Sequence, residues 1–181
     1  MSLERFIEVE PAILRCAQLR EEGKTIGFVP TMGALHEGHL GLVRRSVSAC
    51  DVTVVSVFVN PLQFDEASDL ERYPRDFEGD ARALEEVGCD VVFTGTLPEF
   101  FPTELDEHGA FDSAALKDPG PCSLGLEGDS RSGHFAGMAT IVDRLFELVA
   151  PTRAYFGRKD YQQSLIVDEL ARQRGAPIVE V

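Results

Sequence analysis

The run Val52-Thr-Val-Val-Ser-Val-Phe-Val59 carries no charge and is rich in β-branched residues. It is too short for a buried helix and lacks the alternation of a strand with one wet face, so it predicts a strand buried on both sides. The segments around it repeat one pattern. Glu10 to Glu22 has helix spacing, with Pro11 in the first turn and Gly23 as the stop. Thr25–Val29 reads as a strand and Leu40–Ala49 as a helix with Leu40, Val43 and Val47 on one face. Asp76–Val87 is a helix, ended by Gly88, and Asp90–Phe93 a strand. Phe135–Val149 is a broadly apolar helix, Arg153–Phe156 a strand, Tyr161–Arg174 a helix and Pro177–Val181 a strand. The Pro- and Gly-rich stretch 94–133 predicts a short helix near Leu97–Phe101 and a hairpin. This alternation defines an α/β, Rossmann-like parallel sheet of about five strands with helices on both faces.

At 181 residues the chain reads as one domain, able to bury a core without disulfides. A net charge of −14 argues against nucleic acid as a partner, though not against a nucleotide in a local positive pocket. Cys16, Cys50, Cys89 and Cys122 form no Cys-x-x-Cys pair and read as reduced thiols of a cytoplasmic protein. No apolar run reaches membrane-spanning length and no signal peptide is evident, so no membrane role is expected.

In a parallel sheet, ligands bind beyond the carboxyl ends of the strands. Three loops fall there: Pro30–His39, Asn60–Phe64 and Gly157–Gln163. The first holds His36 and His39 with Gly38 between them, at the start of a helix. Unpaired N–H groups, the positive end of the helix dipole and two imidazoles suit a triphosphate. Gly33 and Gly38 let backbone approach a ligand closely. Lys159 can neutralise phosphate, while Asp160 can bond a ribose hydroxyl or help hold magnesium. The amides of Asn60, Gln63 and Gln163 suit a small polar substrate. Arg131 and His134, just before the Phe135 helix, form a second basic helix N-terminus.

Each feature has a plainer reading: surface histidines, a solvated Lys–Asp pair, solvated amides, an Arg paired with one of many carboxylates. No strand is followed by Gly-x-Gly-x-x-Gly or a Lys-bearing P-loop, which counts against a dinucleotide oxidoreductase and a P-loop enzyme. A zinc site of His36, His39 and His134 fits less well than phosphate, and no Gly-x-Ser-x-Gly nucleophile elbow occurs. Two alternatives stay open: another His-x-Gly-His adenylyltransferase, and a nucleotide-binding module without catalysis.

Five segments together resemble the pantothenate synthetase family, the pantoate–β-alanine ligases. They are Val29-Pro-Thr-Met-Gly-Ala-Leu-His-Glu-Gly-His-Leu40, Val57-Phe-Val-Asn-Pro-Leu-Gln-Phe64, Tyr73-Pro-Arg75, Arg131-Ser-Gly-His-Phe-Ala-Gly137 and Phe156-Gly-Arg-Lys-Asp-Tyr-Gln-Gln163. The His-x-Gly-His element alone indicates the wider nucleotidyltransferase superfamily. The resemblance implies that pantoate attacks MgATP to give pantoyl adenylate, which β-alanine converts to pantothenate and AMP. It implies an ATP site of Met32, Gly33, Ala34, Leu35, His36, Glu37, Gly38 and His39 with Gly157, Arg158, Lys159 and Asp160. His39, His36 and Lys159 would be catalytic, with His39 the proton donor. Gln63 and Gln163 would hold pantoate, with Asn60, Thr31, Arg131 and His134 as further substrate contacts. Mg2+ would travel on the phosphates, with no residue assigned to a metal, and the protein would be a homodimer. Arg158 replaces the family's usual Glu and Ser132 its usual Pro. The family's C-terminal domain, with its Met-Ser-Ser-Arg signature, is absent from the 181 residues. They are therefore expected to form an N-terminal ATP- and pantoate-binding domain with little activity alone.

Overall fold

The computed structural model describes residues 2–125, 127–131 and 133–181, so the departure at Ser132 lies outside them. The chain begins with strand β1 (Glu4–Phe6) and helix α1 (Val9–Glu21), followed by β2 (Ile26–Thr31), α2 (Glu37–Ala49) and β3 (Val52–Val57). A 3-10 turn at Pro61–Gln63, α3 (Ala67–Arg72) and α4 (Phe77–Glu86) lead to β4 (Val91–Phe93). The irregular stretch holds α5 (Leu97–Phe100), 3-10 turns at Ser113–Ala115 and Pro121–Ser123, and α6 (Glu127–Ser130). The chain then runs through α7 (His134–Val149), β5 (Arg153–Tyr155), α8 (Tyr161–Arg174) and β6 (Ile178–Glu180). The hairpin expected in 94–133 is reduced to a single antiparallel bridge, Leu105 to Phe111.

All strand pairs are parallel, in the order β1-β4-β3-β2-β5-β6. The sheet has six strands rather than about five. β1 escapes sequence reading because Glu4-Arg-Phe6 offers no apolar run; Phe6 pairs with Phe93 at the sheet edge. Arg5 reaches Glu78 and Glu85, and Arg15 reaches Glu4, so charge rather than burial dresses this edge.

The alternation within strands divides the core. Ile26 and Phe28 of β2, Val52 and Val54 of β3, and Ala154 of β5 face the layer of α1, α7 and α8. Val29, Val55, Val57 and Tyr155 face the layer of α2 and α4, with Val43, Ala81 and Leu84. At Gly27 a Cβ would meet Ser46 Oγ at 2.1 Å, so α2 lies directly on β2. β2 extends two residues beyond the expected strand, through Pro30 and Thr31. Pro30 is tolerated because β2 pairs with β5 only at Gly27 and Phe28; the donor it lacks would point to that side, beyond the last pair.

From β2 the chain winds outward through β3 and β4, then crosses back to place β5 on the other side of β2. The winding therefore reverses between β2 and β5. At such a switch point the loops leaving two neighbouring strands diverge and open a crevice.

Candidate active site

A cavity of ≈ 700 Å³ occupies that crevice. Its lining includes Thr31, Met32, His36, Gly38 and His39 after β2, Asn60 and Gln63 after β3, and Gly157, Arg158, Lys159, Asp160 and Gln163 after β5. The three loops chosen from sequence thus converge. Gly33, Ala34, Leu35, Glu37, Arg131 and His134 do not line it.

Helix α2 starts at Glu37, three residues before the expected start, which places His39 inside its first turn. His36 is the N-cap, and its Nδ1 accepts the Gly38 N–H at 3.1 Å. That bond leaves the ring proton on Nε2 of neutral His36. The His36 and His39 rings stack with centroids 4.1 Å apart. Burial, then His36 and Lys159, lower the His39 pKa from its ordinary value, partly opposed by Asp160 and Asp80. His39 Nδ1 is buried with no partner. A neutral, pre-aimed imidazole beside a helix N-terminus is a ready hydrogen-bond donor or acceptor for an incoming ligand.

The loop before this helix is locked from below. Gly33 and Ala34 both have left-handed backbone, with φ 85 and 51. Ala34 N–H donates to Asp80 Oδ2 at 3.0 Å and Leu35 N–H to Asp80 Oδ1 at 2.8 Å. Thr31 Oγ1 accepts from Gly33 N–H at 3.2 Å and donates to the Ser56 carbonyl at 2.8 Å. Glu37 pairs with Arg44. The Ala34 and Leu35 N–H groups, in the stretch expected to meet ATP, are thus engaged by Asp80 in this structure, and the Glu37 carboxylate by Arg44.

Across the crevice Asp160 stands at the N-cap position of α8 without a side-chain capping bond, and Gln163 stands in that helix's first turn rather than in a loop. Lys159 is exposed and, among the described residues, has no carboxylate within ion-pair distance. In a chain of net charge −14 an unpaired ammonium at a cavity mouth is a strong anion contact. Arg158 Nε donates to the Val181 carbonyl at 3.3 Å.

Gln63 is positioned by a small network. Asn60 Nδ2 donates to Gln63 Oε1 at 3.0 Å and to the Gly137 carbonyl at 3.1 Å, while Asn60 Oδ1 accepts the Leu62 N–H at 3.2 Å. His134 is buried and its Nδ1 lies 2.8 Å from the Gln63 carbonyl, so this nitrogen carries the proton. Gln63 Nε2 approaches Met32 Sδ at 3.0 Å. Asn60, which also lines the cavity, and His134 both bond to the turn that carries Gln63. Arg131 is exposed outside the cavity. At the start of α7, His134 turns inward to the Pro61–Gln63 turn.

Several residues were not singled out from sequence. Met138, Ile141, Val142 and Leu145 of α7 make an apolar wall of the cavity, and Phe58 and Tyr73 contribute to it. The stripe on α7 reads as core, and it is both core and cavity wall. Asp80 had one available signal: it lies among the apolar positions Phe77, Ala81 and Leu84 of α4. Among the described residues no group of three His, Cys, Asp or Glu could hold a metal ion. All four cysteines are free; burial pushes Cys16 up to about 11 and Cys89 up to about 12, which removes both as nucleophiles.

A parallel sheet with a His-x-Gly-His helix start facing a lysine-bearing loop across its switch point has the nucleotidyltransferase fold. The family model for pantoate–β-alanine ligase matches residues 6–181, and the chain belongs to that family. It is 48% identical over 161 residues to the pantothenate synthetase of Staphylococcus haemolyticus, covering 89% of this chain and 54% of the relative. Identity to the Brucella ovis pantothenate synthetase is 46% over 162 residues, covering 90% and 53%. The chain thus spans about half the length of the curated relatives it matches. Among solved structures, the Thermus thermophilus pantothenate synthetase superposes with TM-score 0.78 at 43% identity, covering 99% of this chain and 60% of that one. The Francisella tularensis pantoate–β-alanine ligase, crystallised with βγ ATP and β-alanine, superposes with TM-score 0.85 at 33% identity, covering 99% and 66%.

Proposed function

We propose that these residues form the ATP- and pantoate-binding domain of a pantoate–β-alanine ligase, with a smaller C-terminal domain completing the whole enzyme. The carrying observation is the cavity at the switch point. It joins the His36–His39 helix start, the unpaired Lys159 and the amides of Gln63 and Gln163. The Francisella relative, crystallised with βγ ATP and β-alanine, supports both as ligands.

In this reading the triphosphate lies between the start of α2 and Lys159. Gln63 and Gln163 hold pantoate in line with the α-phosphorus. A pantoate carboxylate oxygen bonds to that phosphorus as the bond to pyrophosphate breaks, and the electron pair leaves with pyrophosphate. Donors from His36, His39 and Lys159 stabilise the charge that grows on the transferring and leaving oxygens. The β-alanine amine then attacks the acyl carbon; the acyl–phosphate bond breaks, AMP departs and the amine loses a proton. Mg2+ travels on the phosphates, and no step is assigned to it. With donors from one side of the triphosphate only, residues 1–181 alone turn over little. Family likeness further suggests a homodimer, and four free cysteines suit the cytoplasm.

The test is exchange of labelled pyrophosphate into ATP by a protein in which this sequence is joined to the proposed C-terminal domain. Exchange that needs pantoate but not β-alanine supports the reading. Exchange with a nucleotide-yielding substrate instead identifies another adenylyltransferase, and ATP binding without exchange identifies a non-catalytic module. Two substitutions refine it. Gln63→Ala and Gln163→Ala are each expected to weaken pantoate binding by about 0.5–1.5 kcal/mol while sparing ATP. Calorimetric titration of each ligand checks this; a loss confined to ATP reverses the pocket assignment.

A further inference from the structure

Asp80 is the only buried carboxylate side chain among the described residues, at 6% exposure. No cation among them lies within ion-pair distance of it, although every other feature of a buried charge argues for one. Its support comes from the early position in α4, where the helix dipole favours an anion, and from the amides of Ala34 and Leu35. An apolar residue would fill this place at less cost, so the value of the carboxylate lies in what it holds.

What it holds is a turn whose other side-chain restraint is the Thr31 hydroxyl, which takes only the Gly33 N–H. Gly33 and Ala34 take left-handed backbone in succession, unfavourable for Ala34. A Cβ at Gly33 would sit 2.8 Å from Asp80 Oδ2, so loop and carboxylate are in direct contact. Two residues after Ala34 comes the N-cap His36, and His39 follows in the first turn. Orientation of the stacked imidazoles therefore follows from the backbone at Ala34 and Leu35.

We propose that Asp80 is a positioning residue for adenylation, fixing the turn that aims His36 and His39 into the cavity. The inference rests on the ligase reading for its kinetic consequence, but not for its structural one. Its negative charge also opposes the depression of the His39 pKa.

The test is Asp80→Asn in protein carrying this sequence. The amide keeps one acceptor oxygen and loses the other, so one loop bond fails. Imidazole nitrogen resonances of His36 and His39 are expected to shift, with the His39 titration midpoint falling. That of His108 should stay in place, and that of His134, joined to the turn through Gln63 and Met32, should move less than those of His36 and His39. The rate of pantoate-dependent pyrophosphate exchange should drop about tenfold to a hundredfold, with the pantoate KM changed by no more than about threefold. Unmoved His36 and His39 signals, equal shifts in all four histidines, or an unchanged rate each overturn the proposal. If wild-type protein shows no exchange, the ligase reading fails while the resonances still decide what Asp80 holds. Should Asp80→Asn not fold, amide exchange in the wild type decides: slow exchange at Ala34 and Leu35 supports the hold, and fast exchange refutes it.

Discussion

Replacing His39 by alanine is expected to slow pantoate-dependent adenylation roughly 10²–10³-fold, the usual cost of losing one pre-aimed donor at a developing charge. The ring sits in the first turn of α2, stacked on His36, with Nδ1 buried and unpartnered. Burial, His36 and Lys159 all favour its neutral form, which leaves it a hydrogen-bonding group already in place. Pantoate affinity should change little, because Gln63 and Gln163 stand on other elements, the Pro61–Gln63 turn and α8. Rapid-quench measurement of adenylate alongside pantoate titration separates the two effects; an unchanged rate removes His39 from the chemistry. A second consequence concerns stability. With the folded-state pKa lowered below 6.5, the stability this imidazole contributes is complete above its unfolded value. It is lost as pH falls through the lowered value. Urea unfolding at about pH 7.5 and about pH 5 should therefore show a smaller acid-side loss in His39→Ala than in wild type.

How much of this could be read in advance depended on where each residue's partners lie along the chain. The unbroken uncharged run of Val52–Val57 announces a fully buried strand by itself, and the broad apolar stripe of α7 announces a core helix. The start of α2 does not. Glu37-Gly-His39 is poor helix-forming material, and histidine is an uncommon N-cap, so local propensity points three residues too late. β1 gains its place from pairing with Val91–Phe93, a partner far along the chain and invisible to any local window.

The site divides the same way. The three loops were legible because strand ends in a parallel sheet must share an edge. Which groups in those loops line the cavity was not. Asn60 lines the cavity while its side chain bonds Gln63 and Gly137, and His134 Nδ1 lies 2.8 Å from the Gln63 carbonyl. Ala34 and Leu35 look like free amides until Asp80, over forty residues away, takes both. Adjacent glutamines part company as well: Gln163 lines the cavity, whereas buried Gln162 donates to the carbonyls of Cys122, Leu124 and Gly125. Such pairings are tertiary, and residue type alone does not encode them.

Gly137→Ala is the second substitution expected to act strongly, and here two physical effects oppose each other. Alanine in a helix interior ordinarily gains about 0.5–1 kcal/mol over glycine. At this position, however, a Cβ would lie 1.8 Å from the Leu62 carbonyl oxygen, 2.3 Å from its carbon and 2.8 Å from the Gln63 nitrogen. All three atoms are backbone, so no side-chain rotation relieves the clash, and the turn Pro61–Gln63 must move off α7. Movement stretches the Asn60 bond to the Gly137 carbonyl and the contact of His134 with the Gln63 carbonyl. Overpacking of this kind costs about 1–3 kcal/mol, so the net change in stability is a loss despite the better helix former. Function suffers more, since misplacing a substrate-holding group by about 1 Å costs on the order of 10²-fold in rate. Pantoate-dependent exchange should fall further in Gly137→Ala than in Gln63→Ala, which removes the amide but leaves the turn seated. ATP affinity should persist, because the start of α2 and Lys159 stand on other elements. Urea unfolding and exchange kinetics on both variants decide the matter: a Gly137→Ala protein more stable than wild type, with pantoate turnover intact, would show that the turn does not depend on its seat against α7.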